Sequence, residues 1–175
     1  MKRYVLLLAL MTLFAATPLT ARSVGYGFGY YGEELTDSSA RLSSGVEISL
    51  VYRPLLLSYG NPALVGKVAL GTDQDKAWLV PYVQAGVSFE LCRITDHPFN
   101  FIGNNVVAYS PSVGISYQYD PERELGTLTM EASVFKLSQK DFWYEFLTPF
   151  ITLRLDDASL DGWGLNLVRY TYFLK

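Results

Sequence analysis

The chain has almost no cysteine and almost no histidine: Cys92 and His97 are single copies among 175 residues. One cysteine excludes an internal disulfide. One of each, without spaced partners, makes no metal-ligand set. Cys92 is expected to serve as a small apolar side chain, buried or facing outward, rather than as a reactive thiol. Basic charge is scarce too, with 14 Lys and Arg against 17 Asp and Glu, a net charge of −3. A mildly acidic chain without a basic stripe lacks the electrostatic footprint of a nucleic-acid binder. Beyond residue 16 no apolar run reaches the length that a membrane-crossing helix needs. A chain that crosses a membrane without helices must close into a β-barrel, because lipid offers the backbone no hydrogen bonds.

The first residues have the layout of a secretory signal peptide. Lys2 and Arg3 give a basic start, Tyr4 to Ala16 an apolar run, and Leu19-Thr20-Ala21 a small-residue end. The run is short for an uncleaved anchor, the competing reading. The expected division is a signal peptide over 1–21 and one domain over 22–175. No cysteine lies near the cut, so no lipoprotein anchor is indicated. Removing Lys2 and Arg3 leaves 12 Lys and Arg (14 less 2) against 17 acidic residues, a net charge of about −5.

What the chain does have is aromatics and glycine: 13 Tyr, 10 Phe, 3 Trp and 14 Gly. They fall into alternating segments. In Arg41–Arg53, Leu42, Val46, Ile48, Leu50 and Tyr52 share one face. That face is broken only by Ser44, and Arg41, Ser43, Gly45, Glu47, Ser49, Val51 and Arg53 share the other. A period of two is a β-strand, and this one has an apolar side and a side of small polar residues and single charges. An ordinary wetted sheet carries long Lys and Glu chains there instead. Val24–Tyr31 alternates Val24, Tyr26, Phe28 and Tyr30 with Gly25, Gly27 and Gly29, which leaves room inside a narrow barrel. No strand-then-helix pattern surrounds these glycines, so they do not spell a phosphate loop.

Further strands are expected over Ala63–Thr72, Trp78–Leu91, Val106–Tyr119, Thr127–Leu137, Phe142–Leu155 and Trp163–Leu174. The register of the last slips near Val168, through a bulge. Pro111 and Pro149 fall inside expected strands, where a closed barrel has no free edge. They mark bulges or later strand starts. The longest connection is Arg93–Asn105. The apolar Leu55, Leu56 and Leu57 sit in the turn after the second strand, extending a strand or lying at a membrane surface. The expected fold is all-β: a closed antiparallel up-and-down transmembrane β-barrel of about eight strands, after a cleaved signal peptide.

Signal peptide, eight alternating segments and aromatic-rich strand ends together resemble the small outer-membrane barrels of diderm bacteria, the OmpA/OmpX/OmpW-like group. The resemblance covers nearly all of the mature chain and is one of pattern rather than of a motif. It implies location in the cell outer membrane, outer-membrane lipid as the partner of the wall, and insertion by the barrel-assembly machinery. That machinery reads a last strand ending in an aromatic. Tyr170, Tyr172 and Phe173 match in character, and Leu174-Lys175 departs from it.

Candidate lumen charges are Arg41, Glu47, Arg53, Lys67, Glu90, Glu131 and Arg154. Both signs are present, so they can pair across an interior just wide enough for side chains to fill. Tyr26, Tyr30, Tyr52, Trp78, Tyr109, Tyr117, Tyr119, Trp143 and Trp163 are expected in interfacial girdles. Barrel enzymes that act on lipid pair a histidine with a nearby serine, and Asp96-His97-Pro98-Phe99 supplies none. No catalytic, cofactor-binding or metal-binding residue is therefore assigned, and no enzymatic activity is expected. The expected role is structural or surface-interacting, with a filled lumen and no assigned ligand. The alternatives are a narrow transport barrel for small apolar solutes, for which Phe146 and Phe150 would line the path, a lipid-modifying barrel enzyme, and a soluble periplasmic barrel with its apolar face inward.

Overall fold

The computed structural model describes residues 23–36, 41–54, 61–73, 76–95, 107–121, 123–139 and 141–174. The expected leader, Leu55–Leu57, His97 and most of the 93–105 connection lie outside them. The strands are β1 (Ser23–Leu35), β2 (Arg41–Arg53), β3 (Pro62–Asp73), β4 (Lys76–Leu79), β5 (Val83–Glu90), β6 (Ala108–Tyr109), β7 (Ser112–Asp120), β8 (Leu125–Ser133), β9 (Phe135–Ser138), β10 (Phe142–Arg154) and β11 (Leu160–Phe173). The ring runs β1–β2–β3–β5–β7–β8–β10–β11 and back to β1, antiparallel throughout, a closed barrel of eight staves. The short segments β4, β6 and β9 pair with β3, β9 and β10 respectively. The barrel closes because each end strand finds the other: Gly25 pairs with Phe173 and Leu35 with Gly162.

The wall is inverted relative to a water-soluble protein. Glu47, Lys67, Glu90, Lys136, Glu145 and Arg169 are buried, while Phe28, Leu50, Val87, Ile115 and Ile151 are exposed. The alternative of an inward apolar face, with leucines and valines at the centre, does not hold: the interior is polar and the outer wall apolar.

Strand interruptions sit where the backbone chemistry requires them. The stave expected over Trp78–Leu91 breaks between β4 and β5, at Pro81, which has no N–H to donate. Pro111 stands just before β7 and its carbonyl accepts from Leu91 N at 2.8 Å. Pro149 lies where β10 changes partner. It pairs with β8 from Phe150 onward and with β9 up to Phe146. No strand edge is needed for either proline, because the ladder is already interrupted there.

Beside Pro149 runs a line of extra residues across three adjacent staves. Val134 separates β8 from β9, and its N–H bonds back to Ala132 at 3.1 Å. Leu147 has a left-handed backbone, φ 48°. Leu167 is skipped in the pairing of β11 with both β1 and β10. Each extra residue leaves two neighbours facing outward, Val134–Phe135, Phe146–Leu147 and Leu167–Val168. Beyond it the alternation has changed parity, as a bulge dictates. The slip expected near Val168 is thus one of three.

This parity change corrects two expectations. Trp143, expected in an outer girdle, points into the lumen, and Phe146, a candidate path-lining residue, points out. Val107, within the strand expected over Val106–Tyr119, lies just before β6 and is buried.

Glycine sets how closely the walls approach. Gly45 and Gly71 face each other across β2 and β3. A Cβ on Gly45 would lie 2.2 Å from Leu70 O and 2.4 Å from Gly71 Cα. Outward-facing Gly66 has only Gln84 O at 4.0 Å. Gly45→Ala is expected to cost about 1–3 kcal/mol by forcing backbone apart. Gly66→Ala is expected to stay within about 0.5 kcal/mol of the parent. Urea unfolding in detergent micelles measures both, and equal midpoints for the two variants would contradict the packing described.

Candidate functional site: the lumen

One hydrogen-bonding row of the barrel carries the central charges. Lys136 on β9 pairs with Glu145 on β10, Glu145 with Arg169 on β11, Arg169 with Gly29 on β1, and Gly29 with Glu47 on β2. Gly29 has no side chain, and Arg169 crosses it: a Cβ there would touch Arg169 Cβ and Cγ at 3.4 Å. Arg169 Nε donates to Glu47 Oε1 at 2.9 Å. Its terminal nitrogens donate to Glu145 Oε2 at 3.1 Å and to Glu131 Oε2 at 3.1 Å. One guanidinium therefore holds carboxylates from β2, β8 and β10, using the fork geometry that suits arginine to this task.

Two lysines complete the charge balance. Lys67 on β3 donates to Glu131 Oε2 at 2.6 Å and stands 3.8 Å from Glu47. Lys136 is 3.8 Å from Glu145 and donates to Ser112 Oγ at 3.3 Å. Three cations, Lys67, Lys136 and Arg169, meet three carboxylates, Glu47, Glu131 and Glu145. Tyr82 donates its hydroxyl to the other oxygen of Glu47 at 3.0 Å. Lone charges so deeply buried would be costly, while charges paired and hydrogen-bonded in this way are tolerated.

Aromatic layers lie on both sides of this cluster. Toward the turn that joins β1 and β2, Tyr31 and Tyr82 meet edge-on with ring centroids 5.4 Å apart, against Ala69. Toward the opposite end, Trp143 and Phe173 meet edge-on at 4.8 Å, with Val51 and Ala63. Arg53 lies 3.4 Å from the Phe173 ring centroid, and Lys136 Nζ lies 3.5 Å from that of Trp143. These cation–π contacts suit charges that have left water.

The β1–β2 end carries a second ion cluster. Arg123, in the turn between β7 and β8, donates to Asp120 Oδ2 at 2.7 Å and with two nitrogens to Asp161. Burial works against its charge. The hydrogen bonds to Asp161 and Asp120 outweigh burial and hold the Arg123 pKa above the ordinary arginine value. Thr36 Oγ1 donates to the carbonyls of Leu160 and Asp161 at 2.7 and 2.9 Å, tying β1 to β11.

Of the charges expected in the lumen, Glu47, Arg53, Lys67, Glu90 and Glu131 are there. Arg154 is not. Its side chain is 42% exposed and sits 4.0 Å from Asp156 at the surface, because β10 ends there. The Arg41 side chain lies outside the described residues, as does that of Trp78. Tyr26, Tyr30, Tyr117, Tyr119 and Trp163 face outward as expected, and Trp143 does not. Sequence reasoning missed Lys136 and Glu145 because an extra residue separates each from the part of its strand that alternation places correctly, and it missed Arg169 because the expected slip near Val168 was not carried through to the face of Arg169. Consecutive apolar residues such as Phe146-Leu147 and Leu167-Val168, breaking a period of two, were the available sign.

Arg169→Gln removes one of three cations, leaves one negative charge in excess in the lumen, and is expected to cost about 3–5 kcal/mol or to prevent refolding. Arg154→Gln, at an exposed pair, is expected to change stability by less than about 0.5 kcal/mol. Denaturant midpoints in micelles compare the two, and an Arg169 variant as stable as the Arg154 variant would contradict the cluster's role. No protein-family model and no curated protein matches this sequence.

Proposed function

We propose that the chain is an outer-membrane β-barrel of a diderm bacterium, with a structural or surface-interaction role and a lumen occupied by its own side chains. One observation carries this reading: the barrel is apolar on its outer wall and ionic along its axis. Such a wall is stable against hydrocarbon and unstable against water. Eight staves, an even number, suit the smallest barrels of that membrane. On this reading lipid is the partner of the wall and the barrel-assembly machinery inserts it, with Tyr172 outward and Phe173 inward on the last strand. The surface role belongs to the strand connections, and no catalytic step is assigned.

No observation favours the transport alternative. Phe150 does face inward, but its ring fills the space beside Gly164, where a Cβ would lie 2.3 Å from Phe150 Cζ. The aromatic layers and the ion cluster occupy the axis.

The test has two parts. Fractionation of the source bacterium is expected to place the protein in the outer membrane, with gel mobility that shifts on heating. In planar bilayers the refolded barrel is expected to give no steady conductance. A freely soluble protein without a heat shift would reject the membrane reading. Large, steady channels would reject the occupied lumen and leave the membrane reading standing.

A further inference from the structure

The row next to the charge cluster, on the Trp143 side, has a different problem. Ser138 pairs with Trp143, Trp143 with Thr171, Thr171 with Gly27, Gly27 with Ser49, and Ser49 with Lys67. Four of these side chains carry a buried polar atom with no hydrogen-bond partner among the described residues: Ser138 Oγ, Trp143 Nε1, Thr171 Oγ1 and Ser49 Oγ. Buried polar groups normally find a partner, and leaving one unmade costs about 1–3 kcal/mol. Three of the four residues, Ser49, Trp143 and Thr171, line a common cavity of about 10 Å³. Glu131, Glu145, Arg169, Ser88, Val51 and Val65 complete its lining. The glycine between Ser49 and Thr171 helps to make the space. A Cβ on Gly27 would lie 2.4 Å from Ser49 Oγ and 2.7 Å from Thr171 Oγ1.

We propose that this cavity is the binding site of one structural water molecule, which bridges Trp143 Nε1, the Ser49 and Thr171 hydroxyls and the edge of the Glu145–Arg169 cluster. The size admits one water and no second, since a single site needs roughly 10–15 Å³. The chemistry closes as well. The indole N–H only donates, so the water accepts from it and from one hydroxyl. The water then donates to the other hydroxyl and to a carboxylate oxygen of Glu145. Two to four polar partners is what a buried water requires. The Trp143–Phe173 layer on one side and the Tyr31–Tyr82 layer on the other separate this site from both ends of the barrel. The water therefore exchanges only when the barrel opens locally, and it belongs to the fold rather than to a conducting file.

A crystal structure of the refolded barrel, at a resolution that shows ordered waters, tests the site. The expected result is a single density peak within hydrogen-bond distance of Trp143 Nε1 and of Ser49 Oγ or Thr171 Oγ1. No peak there, or a direct bond from Trp143 Nε1 to protein, would overturn the proposal without touching the membrane reading. Water-to-amide NMR on protein labelled with ¹⁵N at tryptophan then reads residence. The Trp143 indole N–H, assigned by its loss in Trp143→Phe, is expected to show the cross-peak sign of a water that tumbles with the protein. The sign of freely exchanging water would overturn both the bound water and the sealed lumen.

Discussion

Inside this barrel three positive and three negative side chains must cancel away from bulk water, and Arg169 is the group through which they do so. It donates to Glu47, Glu131 and Glu145, which come from three different staves. An ionised group removed from water loses several kcal/mol of solvation unless a partner and further hydrogen bonds offset it. Each carboxylate here has a second partner: Tyr82 donates to Glu47, Lys67 donates to Glu131, and Lys136 forms an ion pair with Glu145 at 3.8 Å. Among the described residues Arg169 alone touches all three, so the closure of the ring and the neutrality of its axis are the same constraint.

The bulges make that neutrality possible. Continued alternation from Glu131 would turn Lys136 outward. Continued alternation from Phe150 and from Asn166 would do the same to Glu145 and Arg169. One extra residue in each stave, at Val134, Leu147 and Leu167, reverses the parity and brings all three charges to one row. The extra residues are all apolar and all face outward, where the wall is apolar already. A left-handed Leu147 is a strained choice for a branched side chain. Its persistence fits a position fixed by what lies two residues before it, at Glu145.

The same geometry explains how far the sequence alone could be read. β2 alternates without interruption, so Glu47 and Arg53 could be placed in the lumen from spacing, and Leu50 on the wall. The glycines of β1 could be recognised as inward because they alternate with Tyr26 and Phe28. The fold class followed from such strands. Past Val134, Leu147 and Leu167 a period-two reading assigns every side chain to the wrong face, and that is where Lys136, Glu145, Arg169 and Trp143 lie. Half of the central cluster was hidden by a backbone feature that composition does not encode. Pro149 gave a local hint, since a proline has no place in an unbroken ladder.

On the proposed reading the apolar face lies against hydrocarbon while the ionic face lines the lumen. Tryptophan fluorescence with acyl-brominated lipid tests it most directly, because Trp163 is 50% exposed on the wall and Trp143 is 4% exposed in the lumen. Trp78→Phe with Trp143→Phe leaves Trp163 alone, and Trp78→Phe with Trp163→Phe leaves Trp143 alone. In vesicles the Trp163 emission should be quenched by the brominated chains and the Trp143 emission should not. Equal quenching of the two, or quenching of Trp143 alone, would contradict the inverted arrangement.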